Sequence, residues 1–116
     1  MAKNKFVIPT SYEQLGAVTK VSFDKDPPID DVGNLGVHVL WQNRIRLYLK
    51  LPRGPISRTS VEQTFFHELV HGIFHNAGYP KLRDDEEVVD RVALLLHQAL
   101  VTMEGSAIPD ETEFPE

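Results

Sequence analysis

Apolar residues alternate with polar ones in one part of the chain and recur every three or four positions in another. From Arg44 to Leu51 ("RIRLYLKL"), Ile45, Leu47, Leu49 and Leu51 alternate with Arg44, Arg46, Tyr48 and Lys50. Period-two alternation describes a strand with one buried and one exposed face. "VHVLW" (Val37 to Trp41) precedes it, and the short "QN" region between the two predicts a hairpin. "PRGP" (Pro52 to Pro55) ends the second run. Lys5 to Pro9 and Ala17 to Phe23 are further β-rich runs, with "SYEQLG" between them as a turn or one helical turn closed by Gly16. Asp24 to Gly36 holds two prolines, four aspartates and two glycines, the chemistry of a surface loop.

Beyond residue 56 the period changes. Phe65, Phe66, Leu69, Val70, Ile73 and Phe74 recur at helical spacing, behind competing N-caps at Ser57, Thr59 and Ser60. Gly78 and Pro80 then predict the end of that helix at about Ala77. A second helix is predicted from Asp84 or Asp85, where acids suit the helix dipole, to about Met103. Val88, Val89, Val92, Leu95, Leu96, Ala99 and Leu100 form its expected core face. The expected architecture is α+β: a small, mostly antiparallel sheet of three or four strands packed on two long antiparallel helices. Residues 1–104 make one domain, and residues 105–116 an acidic flexible tail.

Composition narrows the function. A chain of 116 residues with 41% hydrophobic and 25% charged residues fits one globular domain. No apolar run approaches the roughly 18–20 residues of a membrane span. The opening "MAKNKFVIPTSY" carries no sustained apolar stretch, which argues against a secretion signal. With no cysteine, disulfides and thiolate zinc sites are excluded, and a cytoplasmic location is the simplest expectation. The formal net charge of −5 and the lack of a basic block argue against nucleic acid as a partner. A protein or peptide substrate is expected instead, taken by a monomer or weak oligomer.

The chemistry concentrates in "HELVH", His67 to His71. Positions four apart share one helical face, so His67 and His71 can each aim a ring nitrogen at a common point. Glu68, next to the first histidine, is rotated away from that point but within reach of a water there. Zn2+ held by the pair would lower the pKa of such a water, and Glu68 would take its proton and pass it on. Two histidines on an apolar helix can also be ordinary core residues. The acid at the position the chemistry requires favours the metal.

A catalytic zinc takes three protein ligands and keeps a place for solvent. One class of zinc peptidase places a third histidine six residues after the second, behind a glycine. Here those positions are Ala77 and Phe74, so that class is excluded. An acid from the following helix is the other solution. Glu86 and Asp90 are four apart in "RDDEEVVDRVALLL". Glu86 would bind the metal, and Asp90 would accept a hydrogen bond from the far nitrogen of His67, fixing its tautomer. Glu87, one residue away, is the alternative ligand. A solvated acidic helix start accounts for Asp84 and Asp85.

"HELVHGIFH" followed by "EEVVDRVALLL" resembles the gluzincin-type minimal zinc metallopeptidases, and in particular the ImmA/IrrE-like peptidase domains of phages and mobile elements. The resemblance runs from about Arg44 to Leu100. It implies a zincin-like fold, a hydrolase that cuts peptide bonds, and a phage or prophage origin with action in a bacterial cytoplasm. It implies His67, His71 and Glu86 as ligands, Glu68 as general base and Asp90 as the acid behind His67, and His75 matches a histidine often seen four residues past the motif.

Other readings stay open beside it. A non-catalytic zinc-binding or interaction module would use the same scaffold, and a metal-free scaffold would use the motif as core. His75, His38 and His97 are expected to be structural, and Tyr79 to cap the core at a turn. The run Arg44 to Leu51 is either an edge strand that pairs with an extended substrate or one whose charges guard against aggregation.

Overall fold

Arg44–Tyr48, whose Ile45 and Leu47 have no exposed surface, takes an inner place in a four-stranded sheet. The computed structural model describes residues 6–25, 35–51, 54–105 and 115. Its elements are β1 (Ser11–Gln14), β2 (Ala17–Asp24), β3 (Gly36–Val39), β4 (Arg44–Tyr48), β5 (Lys50–Leu51) and β6 (Gly54–Pro55), then α1 (Arg58–Ala77), α2 (Pro80–Arg83) and α3 (Glu86–Thr102). Most of the predicted Asp24–Gly36 loop, and nearly all of the predicted acidic tail, lie outside the described residues.

The sheet order is β1-β2-β4-β3. The expected hairpin forms: β3 and β4 pair antiparallel, although a 3-10 turn at Leu40–Gln42 and a left-handed Asn43 lengthen the connection. β1 and β2 are also antiparallel, but β2 and β4 are parallel. Two of the three pairings are antiparallel, in line with the expected mostly antiparallel sheet, and the parallel one makes the sheet mixed. The apolar strand β4 inserts beside β2 and leaves β3 at the edge. That corrects the expectation that Arg44 to Leu51 supplies an edge.

Three other expectations change. Ser11–Gln14 is a strand instead of a turn, and the reversal falls at Leu15 and Gly16, with φ of 50° and 84°. Two consecutive positive φ values give the tight hairpin turn that matches strand twist; leucine rarely occupies such a position, which hid it. Phe6 to Pro9 is not a strand, although Phe6 and Ile8 pack against the core. The alternation in Arg44 to Leu51 also breaks at Leu49, which interrupts β4 and β5. Tyr48 is buried and Leu49 exposed, the reverse of the expected phase. At the break, Leu49 donates to the Asp24 carbonyl and its own carbonyl accepts from Ile56.

The helices follow the sequence more closely. The Ser57 side chain caps α1 by accepting from the Ser60 N–H, and Gly78 closes it with a φ of 83°. Asp85 caps α3 by accepting from the Val88 N–H. The four-residue α2, started by Pro80, was not anticipated. Phe65, Phe66 and Val70 of α1 meet Ile45 and Leu47 of the sheet and Val89 and Ala93 of α3 in one core. On α3 the buried line is Val89, Ala93 and His97, with Leu96 and Leu100 packed beside it. Val92, Leu95 and Ala99, expected in the core, are exposed. The helix is rotated by part of a turn from the expected phase, with Val89 and Ala93 in the core beside Phe65, Phe66 and Val70.

Contacts between the helices run in opposite senses along them: Glu62 meets His97, and His67 meets Asp90. α1 and α3 are therefore antiparallel. His97 is structural, as expected, and its Nε2 lies 2.9 Å from Glu62 Oε1 in a buried pair, with Arg58 Nε 3.0 Å from the other oxygen. Burial alone would raise the Glu62 pKa, but the hydrogen bonds from His97 and Arg58 outweigh it and hold the carboxyl below its usual 4.5. A carboxyl depressed in the folded state stabilises the protein above its unfolded pKa and loses that contribution as pH falls through its folded value. The thermal midpoint should therefore drop below about pH 4.5. In Glu62→Gln this part of the drop should be missing; a profile identical to wild type would contradict the assignment.

Candidate metal centre

One turn of α1 carries His67, Glu68 and His71, and the first two turns of α3 bring Glu86 and Asp90 against it. His67 Nε2 lies 3.2 Å from Glu86 Oε2, and His71 Nε2 lies 3.1 Å from Glu86 Oε1. The two Nε2 atoms are themselves 3.1 Å apart. These three side chains form the metal-capable group expected from the sequence.

The other ring nitrogens decide the tautomers. His67 Nδ1 is 2.6 Å from Asp90 Oδ1, and His71 Nδ1 is 2.7 Å from the Arg83 carbonyl. A carbonyl oxygen only accepts and an ionised carboxylate only accepts, so both Nδ1 atoms carry hydrogen. In the neutral rings each Nε2 then presents a lone pair. Two lone pairs and a carboxylate facing one another at such distances repel unless a positive charge sits among them. A proton on one imidazole can supply it; so can a metal ion.

The donor set fits zinc. A tetrahedral zinc with ligands at about 2.0–2.1 Å spaces its ligand atoms by roughly 3.3–3.4 Å, close to the separations seen. Imidazoles oriented through Nδ1 by a carboxylate and a main-chain carbonyl have the usual support of such ligands. The Glu86 side chain is 67% exposed, so the cluster lies at the surface with one side open to solvent. Glu87, the alternative ligand, instead pairs with Arg91 at 3.2 Å and has no part in the cluster.

Glu68 lies between two clefts. One, of about 310 Å³, is lined by Leu35, Gly36, Thr64, His67 and Asp90 among others; the second, of about 260 Å³, by His38, Leu40, His71 and Arg83; Glu68 lines both. Burial pushes the Glu68 carboxyl up to about 7; the nearby His71 pulls against it, and the Glu86 charge adds a smaller push upward. A base whose pKa lies near neutrality is suited to taking and returning a proton. A cation among the neighbouring ligands would pull the value back down.

His75 does not join the cluster: its Nδ1 accepts from Arg83 Nη1 at 3.1 Å. Tyr79 is exposed, between α1 and α2. His38, expected to be structural, touches the site region more closely than its strand position suggested. Its Nδ1 donates to the Glu68 carbonyl at 2.7 Å. Burial lowers the pKa of the ring below its usual value. Sequence reasoning missed this contact, the Arg83 carbonyl and Gly72, into whose missing side-chain position the His38 ring fits. A glycine inside a long helix costs about 1 kcal/mol relative to alanine, and that unexplained cost was the available signal.

No family model, curated protein or solved structure matches the chain. Among the described residues no helix is long and apolar enough to cross a membrane.

Proposed function

We propose that the protein is a zinc-dependent peptidase with a zincin-like arrangement of its helices. The observation that carries this reading is the meeting of His67 Nε2, His71 Nε2 and the Glu86 carboxylate, three potential metal ligands within reach of one point. When bound, zinc would supply Lewis acidity, polarising a peptide carbonyl and making water a better nucleophile.

The chain's own residues do the rest. His67, His71 and Glu86 hold the ion. Asp90 and the Arg83 carbonyl keep the two imidazoles in the tautomer that leaves Nε2 bare. Glu68 accepts the proton lost by the attacking water and delivers it to the departing amine. The edge strand β3 borders both clefts through Gly36 and offers main-chain groups to an extended segment of polypeptide. The substrate class is accordingly a protein or peptide, and a bacterial cytoplasm infected by or carrying a phage is the setting the sequence resemblance favours.

Elemental analysis after dialysis against limiting zinc should give one ion per chain. Peptide-library cleavage, read by mass spectrometry, should stop on chelation and return when zinc is restored. Bound zinc without any cleavage would favour the non-catalytic module, and no bound zinc would leave the motif a structural one.

A further inference from the structure

β3 lies unusually close to α1, and two glycines make this possible. A Cβ on Gly36 would sit 2.8 Å from Thr64 Cγ2 and 3.0 Å from the Arg46 carbonyl oxygen. A Cβ on Gly72 would sit 2.6 Å from His38 Cε1. Strand and helix each give up a side chain where the other presses in. The two contacts also follow the same order along strand and helix. Gly36 meets α1 at Thr64, and two residues on, His38 meets it further along, at the Glu68 carbonyl and Gly72. β3 thus runs alongside α1, in the same direction, past the turn that carries the metal-centre residues.

The His38 bond exploits a local opening. Within a helix the Glu68 carbonyl takes the N–H four residues on, which belongs to Gly72. That oxygen has a second lone pair. Because Gly72 has no side chain, the imidazole reaches the lone pair from the side of the helix. An alanine at 72 would close the notch.

We propose that His38 is a positioning residue for hydrolysis: donating to the Glu68 carbonyl through the notch at Gly72, it holds β3 at one distance and register from Glu68 and the two histidines. The inference rests on the peptidase reading above. β3 and Glu68 share the walls of both clefts, so a strand that slides or lifts would shift a bound peptide against the base. Misplacement of reacting groups by about 1 Å can cost on the order of 100-fold in rate. His38 itself holds no metal and transfers no proton.

The test uses the zinc-loaded full chain and four variants: His38→Ala, His38→Asn, Gly72→Ala, and His38→Ala combined with Gly72→Ala. All should bind one zinc. His38→Ala and Gly72→Ala should lower kcat by roughly 10- to 100-fold with a smaller change in KM. The combined variant fills the notch with a methyl group, so its thermal midpoint should recover from that of Gly72→Ala, while kcat stays low because the hydrogen bond is still missing. His38→Asn, which can place an amide N–H near the same carbonyl, should regain part of kcat. Recovery of kcat together with stability in the combined variant would reduce His38 to packing and overturn the proposal. So would full kcat in His38→Ala, or loss of zinc from it. A wild-type protein that binds zinc and cleaves nothing removes the peptidase reading and this inference with it; an active wild type with an equally active His38→Ala removes this inference alone.

Discussion

Glu68→Gln is expected to lose about 10²- to 10⁴-fold in peptide hydrolysis while binding zinc as the wild type does. Glutamine keeps the size and the hydrogen-bonding shape of the side chain but cannot take a proton. The position is half-buried, and burial has pushed the carboxyl up to about 7, so a neutral side chain there costs the fold little. The residue is not among the three metal-capable side chains. Loss of activity without loss of metal is thus the signature of a base, and loss of both would make Glu68 a ligand or a folding residue. Equal hydrolysis by both proteins would exclude it from the chemistry.

The second large effect concerns the third ligand. Glu86→Ala should weaken zinc binding by more than the 10- to 100-fold typical of residues that only support a ligand. Asp90→Ala should fall within that range, because His67 keeps its Nε2 but loses the acceptor at 2.6 Å that orients it. Glu87→Ala should leave affinity unchanged, since Glu87 is engaged by Arg91 on the outer side of α3. Competition against a chromophoric chelator ranks the three. Full affinity in Glu86→Ala would overturn the proposed ligand set.

How much of this was legible depends on the range of the interactions. The motif on α1 and the acids on α3 were read from spacing because helical geometry fixes which residues share a face. Ser57, Gly78 and Asp85 marked the helix ends because caps are local chemistry. The sheet was read less well. Leu15 adopts a conformation that its residue type disfavours, and Leu49 breaks an alternation that the sequence carries on without interruption. Whether β4 lies inside the sheet or at its edge depends on where the chain returns after β2, and no local pattern encodes that. The same holds for the exposed Val92 and Leu95: periodicity identified an apolar side of α3, but which part of it is buried, Val89 and Ala93, depends on how the helix docks. At the site, side chains were foreseeable, and the contributions of His38, Gly72 and a carbonyl from α2 required the tertiary fold.

The group that orients His71 belongs to the main chain at Arg83. Every amino acid carries that oxygen, so natural variation at position 83 can alter charge or size without erasing the acceptor. Adding or deleting a single residue between Gly78 and Asp85 would carry the oxygen away from the imidazole. In this corner of the molecule, selection is expected to preserve loop length more strictly than residue identity.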